Sequence, residues 1–184
     1  MMQSENPIVI VAHEDRQHWL NDLLKSLEGY EDNPVVVYTN TKEANGYELA
    51  AIRWAYEQRF EEFLLLHDSV VVKDHEGLRK VFAHPGSVFL CPQGLSYLGK
   101  YQKKVLSKVR IPLVTKQRDA ITEETAPGHF MHQYFAAAQP VKILDPTFKD
   151  GKTFEFRHGR QNMKIENQWF IKYKGTWSPS MVKD

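Results

Sequence analysis

The sequence predicts an α/β fold with a mainly parallel sheet flanked by helices, and three observations predict it. Residues 8–12 (IVIVA), 35–38 (VVVY) and 63–66 (FLLL) are continuous apolar runs, the pattern of strands covered on both faces. The segments between them carry apolar residues at helical spacing. Strand–helix alternation of this kind winds a parallel sheet.

The elements follow in order. After the first strand, His13-Glu14-Asp15-Arg16 leads into Trp19, Leu20, Leu23, Leu24 and Leu27, one apolar helix face closed by Gly29 as a C-cap. Asn33-Pro34 punctuates the chain before the second strand, and Thr39-Asn40-Thr41 is the polar loop after it. Tyr47, Leu49, Ala50, Ile52, Trp54 and Tyr56 give a second helix over residues 43–59, and the third strand then ends in His67-Asp68-Ser69. Residues 77–84 read as a short helix, 87–91 as a strand, and 95–110 as a basic helix or lid carrying Lys100, Lys103, Lys104 and Lys108. Beyond them come Pro112, Pro127-Gly128, an aromatic and histidine-rich patch, and a last aromatic run. There are no repeats, linkers or low-complexity segments.

Composition narrows the function classes. With 184 residues, 42% of them hydrophobic and 26% charged, the chain can bury a core of its own as a single domain. Its 24 Lys and Arg against 23 Asp and Glu leave a net charge of +1, so no global field gathers polyanions or acidic membranes. The single cysteine, Cys91, rules out an internal disulfide and the paired-cysteine zinc motifs, and it fits a reducing compartment. The first residues lack a basic n-region and the first apolar run is short, which predicts a soluble, cytoplasmic protein with no membrane partner. The loop after the first strand has no glycine, which counts against a dinucleotide-binding dehydrogenase and a nucleotidyltransferase.

The segment 61–69 (EEFLLLHDS) resembles the strand-then-acid segment of GT-A glycosyltransferases, where a DxD-type motif holds a divalent ion against the donor's diphosphate. The two preceding strands and the long helix stand in that family's order, so the resemblance covers about residues 7–95 as a nucleotide-sugar-binding half. Residues 96–184 would then form the acceptor-side half and C-terminal tail of the same domain. Residues 159–163 (GRQNM) and 166–177 resemble the end of small phage-type glycosyltransferases. The departure is that His67-Asp68-Ser69 supplies one carboxylate where a full DxD supplies two. The resemblance implies a transferase moving a sugar from a nucleotide diphosphate donor to an acceptor hydroxyl, with Mn²⁺ or Mg²⁺ as cofactor. The acceptor it suggests is a modified base in phage DNA, and the compartment the cytoplasm of a bacterial or phage-infected host cell.

Candidate site residues follow from position and chemistry. Asp68 stands at the carboxyl edge of an interior strand, where α/β sheets bind ligands, and is the first candidate metal ligand and catalytic group; its plain alternative is a turn cap. Ala12, His13, Glu14, Thr39, Asn40 and His67 end the strands and would line a donor pocket. Arg53, mid-helix, would reach the donor or else lie on a solvated face. His129 and His132, in the patch 128–135, suit general-base work, or flank aromatics that fill a core. Asp119, Glu123 and Glu124 are further candidate bases. His158 is a possible second metal ligand, and Arg160, Lys172 and Lys174 would stabilise the leaving diphosphate, with or without a metal. The lysines at 100, 103, 104 and 108 would face DNA phosphates or water. Two other readings stay open: a non-catalytic nucleotide or carbohydrate binding module on the same scaffold, and a nucleotidyltransferase.

Overall fold

In the computed structural model, residues 6–91, 97–125, 127–148, 152–157 and 160–174 are described, without the side chains of 124–125, 152–157, 160–163 and 174. Strand β1 (Ile8–His13) lies between two parallel neighbours, β2 (Val35–Asn40) and β3 (Glu62–His67), with Ile8 opposite both Val35 and Leu64. The continuous apolar runs of β1 and β3 reflect cover on both faces, whereas β2, expected to be covered likewise, is the edge strand and leaves Val37 39% exposed. Ile8, Ile10, Leu64 and Leu66 pack with Leu20 and Leu23 of α1 (Gln17–Ser26). Val9, Val11, Phe63 and Leu65 pack with Leu49 and Ile52 of α2 (Tyr47–Glu57). The pleat sends alternate side chains to the two layers.

Gly29 follows α1 at φ 80°, the left-handed conformation that ends a helix. β1–α1–β2 winds to one side of β1, and β2–α2–β3 crosses to the other. That reversal opens a crevice at the carboxyl ends of β1 and β3.

The six-stranded sheet runs β2-β1-β3-β6-β5-β7, with β6 (Gly99–Gln102) antiparallel to β3 and β5 (Val88–Phe89), and β7 (Lys142–Ile143) parallel to β5. A four-stranded antiparallel sheet, β4-β10-β9-β8, is built from β4 (Val70–Val72), β8 (Lys152–Arg157), β9 (Arg160–Glu166) and β10 (Phe170–Lys174). Val72, Ile165 and Phe170 join the core cluster of Ile8 and Leu23, so both sheets share one core.

The expected basic helix or lid at 95–110 is instead β6 followed by the single turn α4 (Lys103–Leu106). Lys100 is fully buried, so it belongs to no surface stripe. Its ammonium donates to Glu62 Oε1 at 3.2 Å and to the carbonyls of Phe82 and His84. A buried charge is tolerated where it is paired and hydrogen-bonded this way. The short helix expected at 77–84 is α3 (Glu76–Ala83). No helix among the described residues is long and apolar enough to cross a membrane.

Candidate functional site

β1 and β3 end side by side, Val11 opposite His67, and the ladder continues one step as the Asp68 N–H donates to the Val11 carbonyl at 2.9 Å. That bond fixes the backbone of Asp68. Its carboxylate, 4% exposed, accepts from the His13 N–H at 3.3 Å and lies 4.0 Å from the Arg16 guanidinium. Arg16 closes the 3-10 turn Glu14–Arg16 that follows β1.

Lys172 arrives from β10, held by the pairing of that strand with β4, where Lys172 lies opposite Val70. Its ammonium donates to Ser69 Oγ at 2.6 Å and contacts His67 Nδ1 at 2.8 Å. On the other side of the imidazole, Nε2 faces Glu48 Oε1 at 2.8 Å, although the ring N–H is not aimed at that oxygen. Glu48 sits in the first turn of α2. The result is a row, Glu48–His67–Lys172–Ser69, across the crevice floor.

The electrostatics follow from that row. Burial pushes the Glu48 carboxyl up, but the neighbouring His67, the backbone at its helix start and the Lys172 ammonium pull it down to about 2. Burial and Lys172 lower the His67 imidazole against the opposing pull of Glu48 and Asp68. A neutral ring accepting from Lys172 at Nδ1 carries its proton on Nε2.

These groups line a cavity of about 310 Å³ with Asn40, Asn45, Tyr47 and Gln117, at the small end of the range of about 300–1,000 Å³ for ligand pockets. Asn40 is 2% exposed, yet its amide oxygen has no hydrogen-bond partner among the described residues. Buried acceptors are nearly always satisfied, so one that lines a cavity leaves a bond for a ligand or water to make. Tyr47 holds a left-handed backbone at φ 49°, a strain that concentrates at functional sites.

Of the residues singled out in the sequence, Ala12, His13, Asn40, His67, Asp68 and Lys172 come together here. Glu14 lies beside the cavity, its carboxylate accepting from the Lys42 N–H at 2.8 Å. Thr39 does not join them: strand alternation turns it outward, exposed, while Asn40 turns in. Arg53 also lies elsewhere, bonded to Glu57 Oε1 at 3.0 Å and the Ile111 carbonyl at 3.1 Å.

His129 and His132 stack on each other at 4.0 Å beside and within α6 (Phe130–Ala137), outside the cavity lining. Phe130, Met131 and Tyr134 of that helix are core. Asp119 and Glu123 are likewise absent from the lining, Glu123 being paired with Arg110 at 2.7 Å. His158 lies outside the described residues, as do the side chains of Glu124, Arg160 and Lys174. Asp15, Arg16, Glu48, Ser69, Asn45, Tyr47 and Gln117, with the apolar Val11, are the lining residues that sequence reasoning did not select. An acid one residue into a helix that follows a strand was the available signal for Glu48.

Among the described residues, no three His, Cys, Asp or Glu side chains converge to hold a metal ion. Asp68 offers a divalent cation one carboxylate, and the ligand and water would supply the rest of its oxygen shell. What the crevice does present is a fork-shaped cation, Arg16, beside a buried carboxylate, and an ammonium, Lys172, in the same lining: groups suited to phosphate oxygens and to charge developing on them. No protein-family model, no curated protein and no solved structure matches the chain.

Proposed function

We propose that this crevice binds a nucleotide diphosphate sugar and transfers the sugar to an acceptor hydroxyl, on a fold of the GT-A kind. The observation that carries the reading is the convergence of Arg16, Asp68 and Lys172, from three separate parts of the chain, on one cavity at the carboxyl edge of the sheet. Arg16 and Lys172 hold the diphosphate and stabilise its charge as it leaves. Asp68 orients Arg16 and is the residue that would hold a Mn²⁺ or Mg²⁺ ion, which would neutralise the diphosphate. The partnerless oxygen of Asn40 accepts from an N–H or hydroxyl of the nucleoside.

In the transfer, the acceptor oxygen bonds to the sugar's anomeric carbon as the bond from that carbon to the phosphate oxygen breaks. The electron pair leaves with the nucleoside diphosphate. Three carboxylates line the cavity as acceptors for the hydroxyl's proton, and two are engaged, Glu48 beside His67 and Asp68 by His13 and Arg16. Asp15, the exposed one at the rim, takes it.

A thermal-shift screen of UDP, GDP and their sugar conjugates, with and without Mn²⁺, tests the reading, because a ligand of the native state raises apparent stability by mass action. A shift with one nucleotide that disappears in Asp68→Ala, together with release of nucleoside diphosphate on turnover, supports transfer. Binding without any turnover or donor hydrolysis favours the binding-module reading, for which the prior engagement of Asp68 by Arg16 and His13 speaks. No shift with any nucleotide sinks the transfer reading and leaves of the binding module only its carbohydrate form.

A further inference from the structure

Beside this cavity lies a second, wider cleft of about 620 Å³, walled by Lys42, Glu43 and Asn45 on one side and by residues 116–118 with Ile121 and Thr122 on the other. Asn45 and Gln117 line both spaces, so the two adjoin. The wider cleft carries Lys42, Lys116 and Arg118 against Glu43 alone, in a chain whose net charge is +1. The positive charge is therefore local.

Its cations differ in what they already hold. Lys42 lies 3.4 Å from Asp15, at the rim of the first cavity. Lys116 and Arg118 are exposed and form no ion pair among the described residues. At the junction of the two clefts, the Asn45 amide oxygen is buried without a hydrogen-bond partner among the described residues. A trough with an excess of one sign of charge concentrates ligands of the other sign, and an Arg with two Lys matches phosphate oxygens.

We propose that the wider cleft holds the acceptor by its phosphate groups, so that the acceptor is a phosphate-bearing molecule whose hydroxyl enters the first cavity past Asn45. This rests on the transfer reading, which makes the first cavity the donor's. The shared chemistry is a phosphate ester, from a nucleic-acid strand or from a small phosphorylated molecule.

Two probes distinguish the sources: a fluorescein-labelled single strand of about 12 nucleotides read by anisotropy, and inorganic tripolyphosphate read by calorimetry. Binding of the strand with a steep salt dependence points to a nucleic acid; binding of tripolyphosphate alone points to a small acceptor. Either is expected to weaken about tenfold or more in the double variant Lys116→Glu, Arg118→Glu, with the strand's salt slope reduced by about one to two. Both side chains are exposed, and an unchanged unfolding temperature shows that the variant folds.

The double variant Lys104→Glu, Lys108→Glu makes the same charge change on other exposed lysines and leaves binding within about twofold. Failure of both probes to bind the wild type, or equal weakening in the two double variants, overturns the proposal. The nucleotide-sugar shift is measured in parallel on the same proteins. If it persists while phosphate binding fails, the acceptor proposal alone is lost; if it is absent while phosphate binding stands, the transfer reading is lost.

Discussion

Lys172 is the residue through which the C-terminal strand enters the crevice, and its ammonium touches both Ser69 and His67. Lys172→Met removes the cation from the proposed phosphate site while keeping the stem that packs in the strand. We expect donor affinity to fall about tenfold or more, the scale of a lost charged hydrogen bond, and to recover in part in Lys172→Arg. Isothermal titration with the nucleoside diphosphate checks this, and undiminished affinity in Lys172→Met would remove the residue from the site.

The same row makes a pH prediction. The folded value of Glu48, about 2, lies below the ordinary 4.5, so its ionised form contributes stability that is complete above pH 4.5 and lost as pH falls toward 2. His67, also lowered, acts in the same direction at higher pH, because below about 6.5 the unfolded chain takes the proton that the folded ring resists. Urea unfolding across pH should therefore show a shallower acid decline between pH 4.5 and 2 in Glu48→Gln than in the wild type. Parallel curves would mean that the pair contributes nothing.

At the scale of the elements, Gly46 joins the β2 loop to α2. A Cβ there would meet the Val114 carbonyl and the Ala50 side chain, because the 111–116 segment packs onto the helix start, with Asn45 donating to the Thr115 carbonyl at 2.9 Å. Gly46→Ala should cost about 1–3 kcal/mol by overpacking and, since Asn45, Tyr47 and Glu48 follow that backbone, weaken nucleotide binding as well. α6 behaves differently. Tyr134 bonds Ser87 Oγ at 2.8 Å and accepts from the Gln102 N–H at 2.9 Å, so Tyr134→Phe should lose about 1–3 kcal/mol. His132→Ala, exposed on the same helix, should leave donor binding unchanged, and a loss there would restore the patch as a site.

The elements also mark what the sequence made legible. The three parallel strands, α1 with its Gly29 cap, α2 and the place of Asp68 were readable because uninterrupted apolar runs mark strands; burial on both faces writes such runs in β1 and β3, while the same run in β2 hid that it is a half-exposed edge strand. Strand β6 was not, because it carries Lys100 at a core position, and a lysine is read as exposed unless its partners, here Glu62 and two carbonyls, are known. Lys172 was chosen for its charge, but its meeting with His67 spans 105 residues of chain and needs the second sheet. Arg16 and Glu48 went unseen because an exposed loop cation and a helix-start acid have the same pattern whether or not they face a ligand.

For the whole molecule, the crevice depends on two sheets that share one core. Phe170 is fully buried in that core, faces Phe148 at 6.5 Å and anchors β10 two residues before Lys172. Phe130, 2% exposed, fills the opposite layer from α6, which contributes nothing to the cavity lining. Truncating either phenylalanine to alanine should cost about 3–5 kcal/mol by urea unfolding. If the site is held by the docking of the second sheet, Phe170→Ala weakens nucleotide binding under conditions where both variants remain folded, and Phe130→Ala does not. If the two lose affinity together, binding follows overall stability, and the strand carrying Lys172 has no special part in placing it.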